Sequence, residues 1–219
     1  MNLLVWQLVD SSFPSGGFAH SGGLEASVHH GHVASGDAVR TFARQSLAQT
    51  GRGALPLVTA AHRQPGDLAG LDNLADVFLS NPVANRASRA QGRALLTSAT
   101  RSFRHASFAS IDEHVRGAQL AAHHAPMFGA VLNALGVGLP DTQRAFLFVA
   151  LRGVASAAVR LGLIGGYQAQ DIQMDLAREI DSVIRQCGEM DPGAIAQTAP
   201  LIDLFQSTHD RLYSRLFQS

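Results

Sequence analysis

The sequence predicts an all-α fold, a single-domain bundle of about ten helices. Three observations carry this. Apolar residues recur at helical spacing along most of the chain, strict apolar–polar alternation is nearly absent, and Gly and Pro cut the helical stretches into separate pieces. The 219 residues and 46% hydrophobic content suffice for one sizeable core. No fixed-period repeat, low-complexity tract or long linker interrupts the chain. Residues 1–219 therefore read as one domain, with a distinctive tail at about 209–219.

The elements follow in order. Leu3 to Val9 reads as a short first helix and Phe13 to Gly23 as a loop. A second helix starts near Leu24, with Glu25 in the first turn, where a carboxylate suits the positive end of the helix dipole. Asp37 to about Arg63 is helical, and Pro56 should kink or split it. "QPGD" at 64–67 is a turn before a helix over Asp67 to Leu79. Further helices are expected from near Pro82, from about Ser110, and around Pro126 up to Gly136. Asp141 marks the start of the next, whose body from Thr142 to Leu161 is the most apolar segment. The Gly-rich "GLIGGYQ" breaks it, Gln170 to about Gln186 follows, and "MDPGAI" is expected to restart a helix to roughly Thr208.

Composition narrows the function. Net charge is zero, so the electrostatic footprint of a nucleic-acid or anionic-membrane binder is absent. All 17 basic residues are arginine, which removes the P-loop lysine and any lysine Schiff-base chemistry. Cys187 is the single cysteine; it cannot form an internal disulfide and suits a reducing cytoplasmic setting. The first ten residues lack a basic n-region, so no secretory signal is expected. No stretch has the roughly 20 apolar residues of a membrane span. Charged residues are only 16%, which points to surface covered by other subunits.

Candidate chemistry is sparse. "FPSGGFAHSGGLE" is Gly-rich, but a helix precedes it where a dinucleotide fingerprint needs a strand. It reads instead as a tight turn that puts Phe18 and His20 near a helix start. "HHGH" supplies His29, His30 and His32, and imidazole suits Ni or Zn. Ordinary polar caps are the simpler reading, with a weak site shared between chains as the alternative. "GxSxG", H-E-x-x-H and paired carboxylates are missing, so no catalytic residue, metal site or cofactor is expected. Arg86, Arg89 and Arg93 fall on one helical face, with Ser88 beside them. That face is either solvated or a row of bidentate donors for a partner's carboxylates. The tail "LYSRLFQS" joins Tyr213, Arg215, Leu216 and Phe217, a hot-spot composition that equally suits packing on the chain's own core.

These residues together resemble the UreF family of urease accessory proteins. "QLVDSSFPSGGFAHSGGLEA" is similar to its N-terminal motif, with His20 where many members have Tyr. "NPVANRASRAQGRALL", "HHAPMFGAVLNALG" and "VASAAVRLGLIGGYQAQ" are similar to its central motifs, and "HDRLYSRLFQS" to its closing signature. The resemblance implies an all-α homodimer that is not an enzyme. It implies a cytoplasmic factor that bridges UreD (also called UreH) and the GTPase UreG, and that modulates GTP-dependent nickel delivery to apo-urease. A nickel carrier using the His29, His30 and His32 cluster is the rival reading. Partner contacts are expected from Phe18, His20, Ser21 and Glu25 and from Tyr213, Arg215, Leu216 and Phe217. The tail is expected to order against UreD/UreH. Arg86, Ser88 and Arg89 are assigned either to the dimer or to an internal polar network.

Overall fold

A computed structural model of the chain describes residues 3–103 and 105–219. Among these residues there is no strand. Eleven α-helices follow one another: α1 (Leu3–Val9), α2 (Leu24–His29), α3 (Gly36–Gly53), α4 (Leu55–Arg63), α5 (Leu68–Phe78), α6 (Pro82–Phe103), α7 (Ala106–Gly117), α8 (His124–Ala134), α9 (Leu139–Arg160), α10 (Gly166–Cys187) and α11 (Pro200–Ser207). The all-α expectation holds. No helix of the described residues is long and apolar enough to cross a membrane.

Pro56 splits the long third segment as its chemistry requires. It lacks an amide hydrogen, so it cannot sit inside a continuous ladder, but it is tolerated in a first turn. Ala54 leaves the helical region (φ −123°, ψ −36°), and α4 restarts with Pro56 in its first turn. Three other starts differ from expectation. Helix α7 begins at Ala106 rather than near Ser110, α9 at Leu139 rather than Asp141, and α10 at Gly166 rather than Gln170. In α9, Pro140 takes the first turn, which has no use for its missing amide hydrogen.

The largest difference lies between α10 and α11. The expected restart at "MDPGAI" yields only a 3-10 turn, Pro192–Ala194, capped where Asp191 accepts from the Gly193 amide at 2.6 Å. The chain then runs extended. Its amides are satisfied from outside: Ala196 N donates to Arg52 O, and Ala199 N to Gln49 Oε1 at 2.7 Å. A residue before proline is driven out of the helical region, so α11 waits for Pro200.

Helix α8 sits at the centre of the fold. Ala125 to Leu132 are all buried, the mark of a helix surrounded by others. It packs on α4, α6, α5, α7 and α9. The α4–α8 approach is close because of Gly129, where an added Cβ would lie 2.2 Å from Val58 O. Helix α9 packs on α10, α3 and α4 and buries Phe146, Leu147, Leu151 and Val154. Helix α10 is amphipathic, burying Ala169, Ile172, Leu176 and Ile180. Its outer edge pairs Asp175 with Arg40 and Glu179 with Arg44 of α3. These pairs are largely exposed and contribute little to stability.

Replacing Gly129 by Ala tests the central contact. The new methyl meets backbone, which cannot rotate away, so α4 and α8 must separate. Urea unfolding should show a loss of about 1–3 kcal/mol relative to the parent chain. An unchanged midpoint would contradict the packing described.

Candidate functional site

The Gly-rich loop and the C-terminal tail, far apart in sequence, form one site. Gly23 sets the start of α2 with φ +90°, and an added Cβ would lie 3.2 Å from Ile202 O of α11. That turn directs Glu25 inward, where it is buried. Its carboxylate accepts three hydrogen bonds from the tail side. Oε1 takes the Leu216 amide at 2.6 Å, and Oε2 takes the Phe217 amide at 3.2 Å and His209 Nε2 at 2.8 Å. The loop backbone adds more. Ser219 O accepts from Ser21 N at 2.6 Å and from Ser21 Oγ at 3.0 Å, and Ala19 O accepts from Gln218 N at 2.8 Å. His20 Nδ1 and Ser219 Oγ share a hydrogen bond at 2.6 Å.

Arg160, the last residue of α9, closes the outer edge. Its guanidinium carbon lies 3.9 Å from the Phe18 ring centroid and 4.2 Å from that of Phe217. It also donates to Phe18 O. Two rings on one guanidinium make a cation–π sandwich that joins loop, helix end and tail.

The expected contact residues thus divide. Ser21, Glu25 and Phe217 are buried and spend their polar or apolar surface on the chain itself. Phe18, Tyr213, Arg215 and Leu216 remain exposed, Tyr213 completely so. In this structure the tail lies against its own chain, with Glu25 supplying acceptors for its Leu216 and Phe217 amides.

The arginine stripe also divides. Arg86 Nη2 reaches both carboxylate oxygens of Asp210 at 2.9 Å, and Arg215 Nη1 joins Asp210 Oδ1 at 3.3 Å. Arg86 therefore braces the base of the tail. Arg89 is half-buried, and its charge helps hold the Asp76 carboxyl below its usual range, behind hydrogen bonds from Asn85 and His123. Ser88 belongs to an internal network. Its Oγ takes the His124 amide at 3.1 Å and meets His123 Nδ1 at 3.1 Å, while His123 Nε2 reaches Asp76 at 3.0 Å. Asp72, fully buried, receives the Ala122 and His123 amides at 3.2 and 2.6 Å. This holds Ala122 at φ +61°, a conformation a non-glycine residue adopts only when its surroundings impose it.

The three clustered histidines do not converge. His30 bonds Thr208 Oγ1 at 2.9 Å and stacks on Phe205, and His32 lies 4.2 Å from the same ring. Among the described residues no group of three or more His, Cys, Asp or Glu is placed to hold a metal ion. The carrier reading gains no geometric support from this arrangement. Arg160, His209, Asp210 and Asp72 carry contacts that sequence reasoning did not single out. A basic residue closing a helix is a common dipole signal, and nothing in the sequence marks Arg160 as a bridge between rings.

Behind the site lies a cavity of about 220 Å³. His124 stands in its wall against Phe128 and Phe146. Burial first, and the His20 imidazole second, push the His124 pKa down to about 4. Burial likewise lowers the His20 pKa, followed by the charges of His209 and Arg86.

The family model described as UreF matches residues 33–177. Urease accessory protein F of Arabidopsis thaliana is 38% identical over 219 residues, spanning 98% of this chain and 91% of that protein. Urease accessory protein F of Oryza sativa subsp. indica is 38% identical over 216 residues, spanning 97% and 83%. Urease accessory protein UreF of Trichodesmium erythraeum is 30% identical over 223 residues, spanning 98% and 95%.

Two substitutions test the site's physics. Glu25→Ala removes the acceptor of two tail amides. Hydrogen exchange at residues 216–218 should accelerate at least tenfold while α8 stays protected, and unchanged exchange would refute the clasp. His124 is neutral in the fold, so protons bind the unfolded chain preferentially between its ordinary value of 6.5 and about 4. Stability therefore falls as pH drops through that window, by about 2 kcal/mol at pH 5. His124→Gln should remove that share of the loss in urea titrations at pH 7 and pH 5. Identical losses in parent and variant would assign the pH dependence elsewhere.

Proposed function

The chain belongs to the UreF family of urease accessory proteins, and from that premise we propose that it serves urease maturation as a scaffold rather than as an enzyme. It bridges UreD/UreH and the GTPase UreG, and modulates GTP-dependent nickel delivery to apo-urease in the cytoplasm. It works as a homodimer. The nucleotide chemistry falls to the partner, in keeping with a chain that has no lysine.

One observation carries the reading. Residues 209–219 are anchored from within, yet Tyr213 and Leu216 stand exposed beside Arg215. An aromatic, an aliphatic and an arginine held on a fixed backbone have the composition of an interface hot spot. Because the backbone is already ordered, a partner need not supply the entropy of ordering it. In this reading Phe18, Tyr213, Arg215 and Leu216 touch the partner, and His20 lies behind them at the rim. Ser21, Glu25 and Phe217 hold the tail, Arg86 braces its base, Arg89 biases the charge at Asp76, and Ser88 fixes α6 to the start of α8. Tyr167 and Met174 add exposed apolar surface two turns apart on α10, suited to cover by a second copy.

Co-elution with purified UreD/UreH and UreG tests this. Tyr213→Ala and Arg215→Glu should each weaken assembly tenfold or more while far-UV circular dichroism and the unfolding midpoint stay within error. Phe217→Ala should lower stability as well. Full co-elution of both surface variants would remove the tail from the interface.

A further inference from the structure

We propose that the groove between α6 and α7 is a second docking surface, which takes a carboxylate-bearing segment of a partner protein. None of its lining residues belongs to the tail at 209–219, so it is separate from the surface proposed above.

Charge is not spread evenly along the chain. The whole chain is neutral, yet residues 82–121 hold six arginines against two carboxylates, Asp112 and Glu113. Several arginines elsewhere meet an acid of their own chain: Arg40 holds Asp175, Arg44 holds Glu179, Arg63 holds Glu189 and Arg144 holds Asp181. On α6, Arg86 is taken up by Asp210, and Arg89 acts on Asp76. Arg93, the third member of that stripe, is exposed and has no ion pair or hydrogen bond among the described residues.

Arg93 borders an open groove of about 370 Å³. Leu96 and Thr97 continue its α6 side, Val115 and Arg116 stand on α7, and Gln119 and Leu120 belong to the turn that follows. Arg116 pairs with Asp112 one turn back at 2.7 Å, with its side chain largely exposed. An exposed pair of this kind is weak, so Arg116 exchanges partners at little cost. The groove thus offers two guanidiniums beside an apolar lining of Leu96, Val115 and Leu120. A guanidinium fork matches the two oxygens of a carboxylate.

The frame around the groove is fixed before any partner arrives. Gly92 lets α6 press on the turn before α8, where an added Cβ would lie 2.0 Å from Ala122 O. Within that turn Leu120 N donates to Val115 O at 2.9 Å and Gln119 N to Arg116 O at 3.2 Å. Asp72 holds the Ala122 and His123 amides from below. A preformed backbone removes one ordering cost of binding.

The occupant follows from charge. A second copy would bring the acidic helix α10, but its Asp175, Glu179 and Asp181 are already paired. A polyphosphate strand would meet Asp112 in the wall of a chain with no net positive charge. A protein segment alternating acidic and apolar residues fits both the guanidiniums and the lining.

The probe is a capped Glu-Leu-Glu-Leu-Glu peptide titrated into the isotope-labelled full-length chain and followed by NMR. Amide signals of residues 93–97 and 115–120 should shift saturably, and the Gln-Leu-Gln-Leu-Gln counterpart should bind at least tenfold more weakly. Arg93→Gln and Arg116→Gln should each weaken binding at least threefold with unchanged far-UV circular dichroism. Asp112→Asn, which frees Arg116, should tighten it. The proposal fails if no shifts appear at millimolar peptide, if they lie elsewhere, or if both peptides bind alike. It also fails if inorganic phosphate or oligo-dT displaces the peptide at equal concentration, which would mark a general anion site. Shifts of the same residues on concentrating the chain without peptide would assign the groove to a second copy and overturn it as well. Failure here leaves the tail interface untouched, because the two surfaces share no residue.

Discussion

One buried carboxylate joins the two ends of this protein. Glu25 lies 184 residues from His209 and 192 from Phe217, and accepts hydrogen bonds from both. Its place in the first turn of α2 adds the favourable end of the helix dipole. A carboxylate removed from water needs several donors to offset its desolvation, and here two backbone amides and an imidazole supply them. The tail gains acceptors for amides that no helix would satisfy. Head and tail are therefore ordered by the same contacts, and neither is a free arm in the folded chain.

That constraint determines what the surface can offer. With Ser21, Glu25 and Phe217 turned inward, the neighbouring Phe18, Tyr213, Arg215 and Leu216 are left facing solvent. The bends of the short tail do the sorting: Leu212 and Phe217 are buried while residues 213–216 between them stay out. Arg86 and Asp210 hold the base of this segment, and Arg160 holds its far side. The interface proposed for partner proteins is thus rigid at its root and apolar at its tip.

A second polar network does comparable work inside. Asp72, Ser88 and His123 tie α5 and α6 to the loop before α8, and set the entry of that helix into the core. Ser88 lies two positions from Arg86, which faces outward. Nearby positions on one helix thus serve the interior and the surface. The same motif contains both because helix periodicity turns successive side chains through about 100°.

Much of this was legible in the residues. Helical spacing marked the all-α class, Pro56 marked the split between α3 and α4, and Leu24 marked the start of α2. These are local effects of backbone chemistry, so a local reading captures them. The Gly-rich loop, the arginine stripe and the tail were also recognisable as unusual, and the core reading of the tail holds for Leu212 and Phe217, while Tyr213, Arg215 and Leu216 stay exposed. What sequence could not supply was the pairing. Nothing near Glu25 predicts that its donors come from Leu216 and Phe217, or that Arg160 lies between two distant rings. The extended run before Pro200 was missed for the same reason, since its amides are satisfied by Gln49 and Arg52 on another helix. Sequence alone determined which segments coil and which residue types stand out. Tertiary structure decided which of those residues face one another, because burial and hydrogen-bond satisfaction depend on neighbours that the fold, and not the chain order, brings within reach.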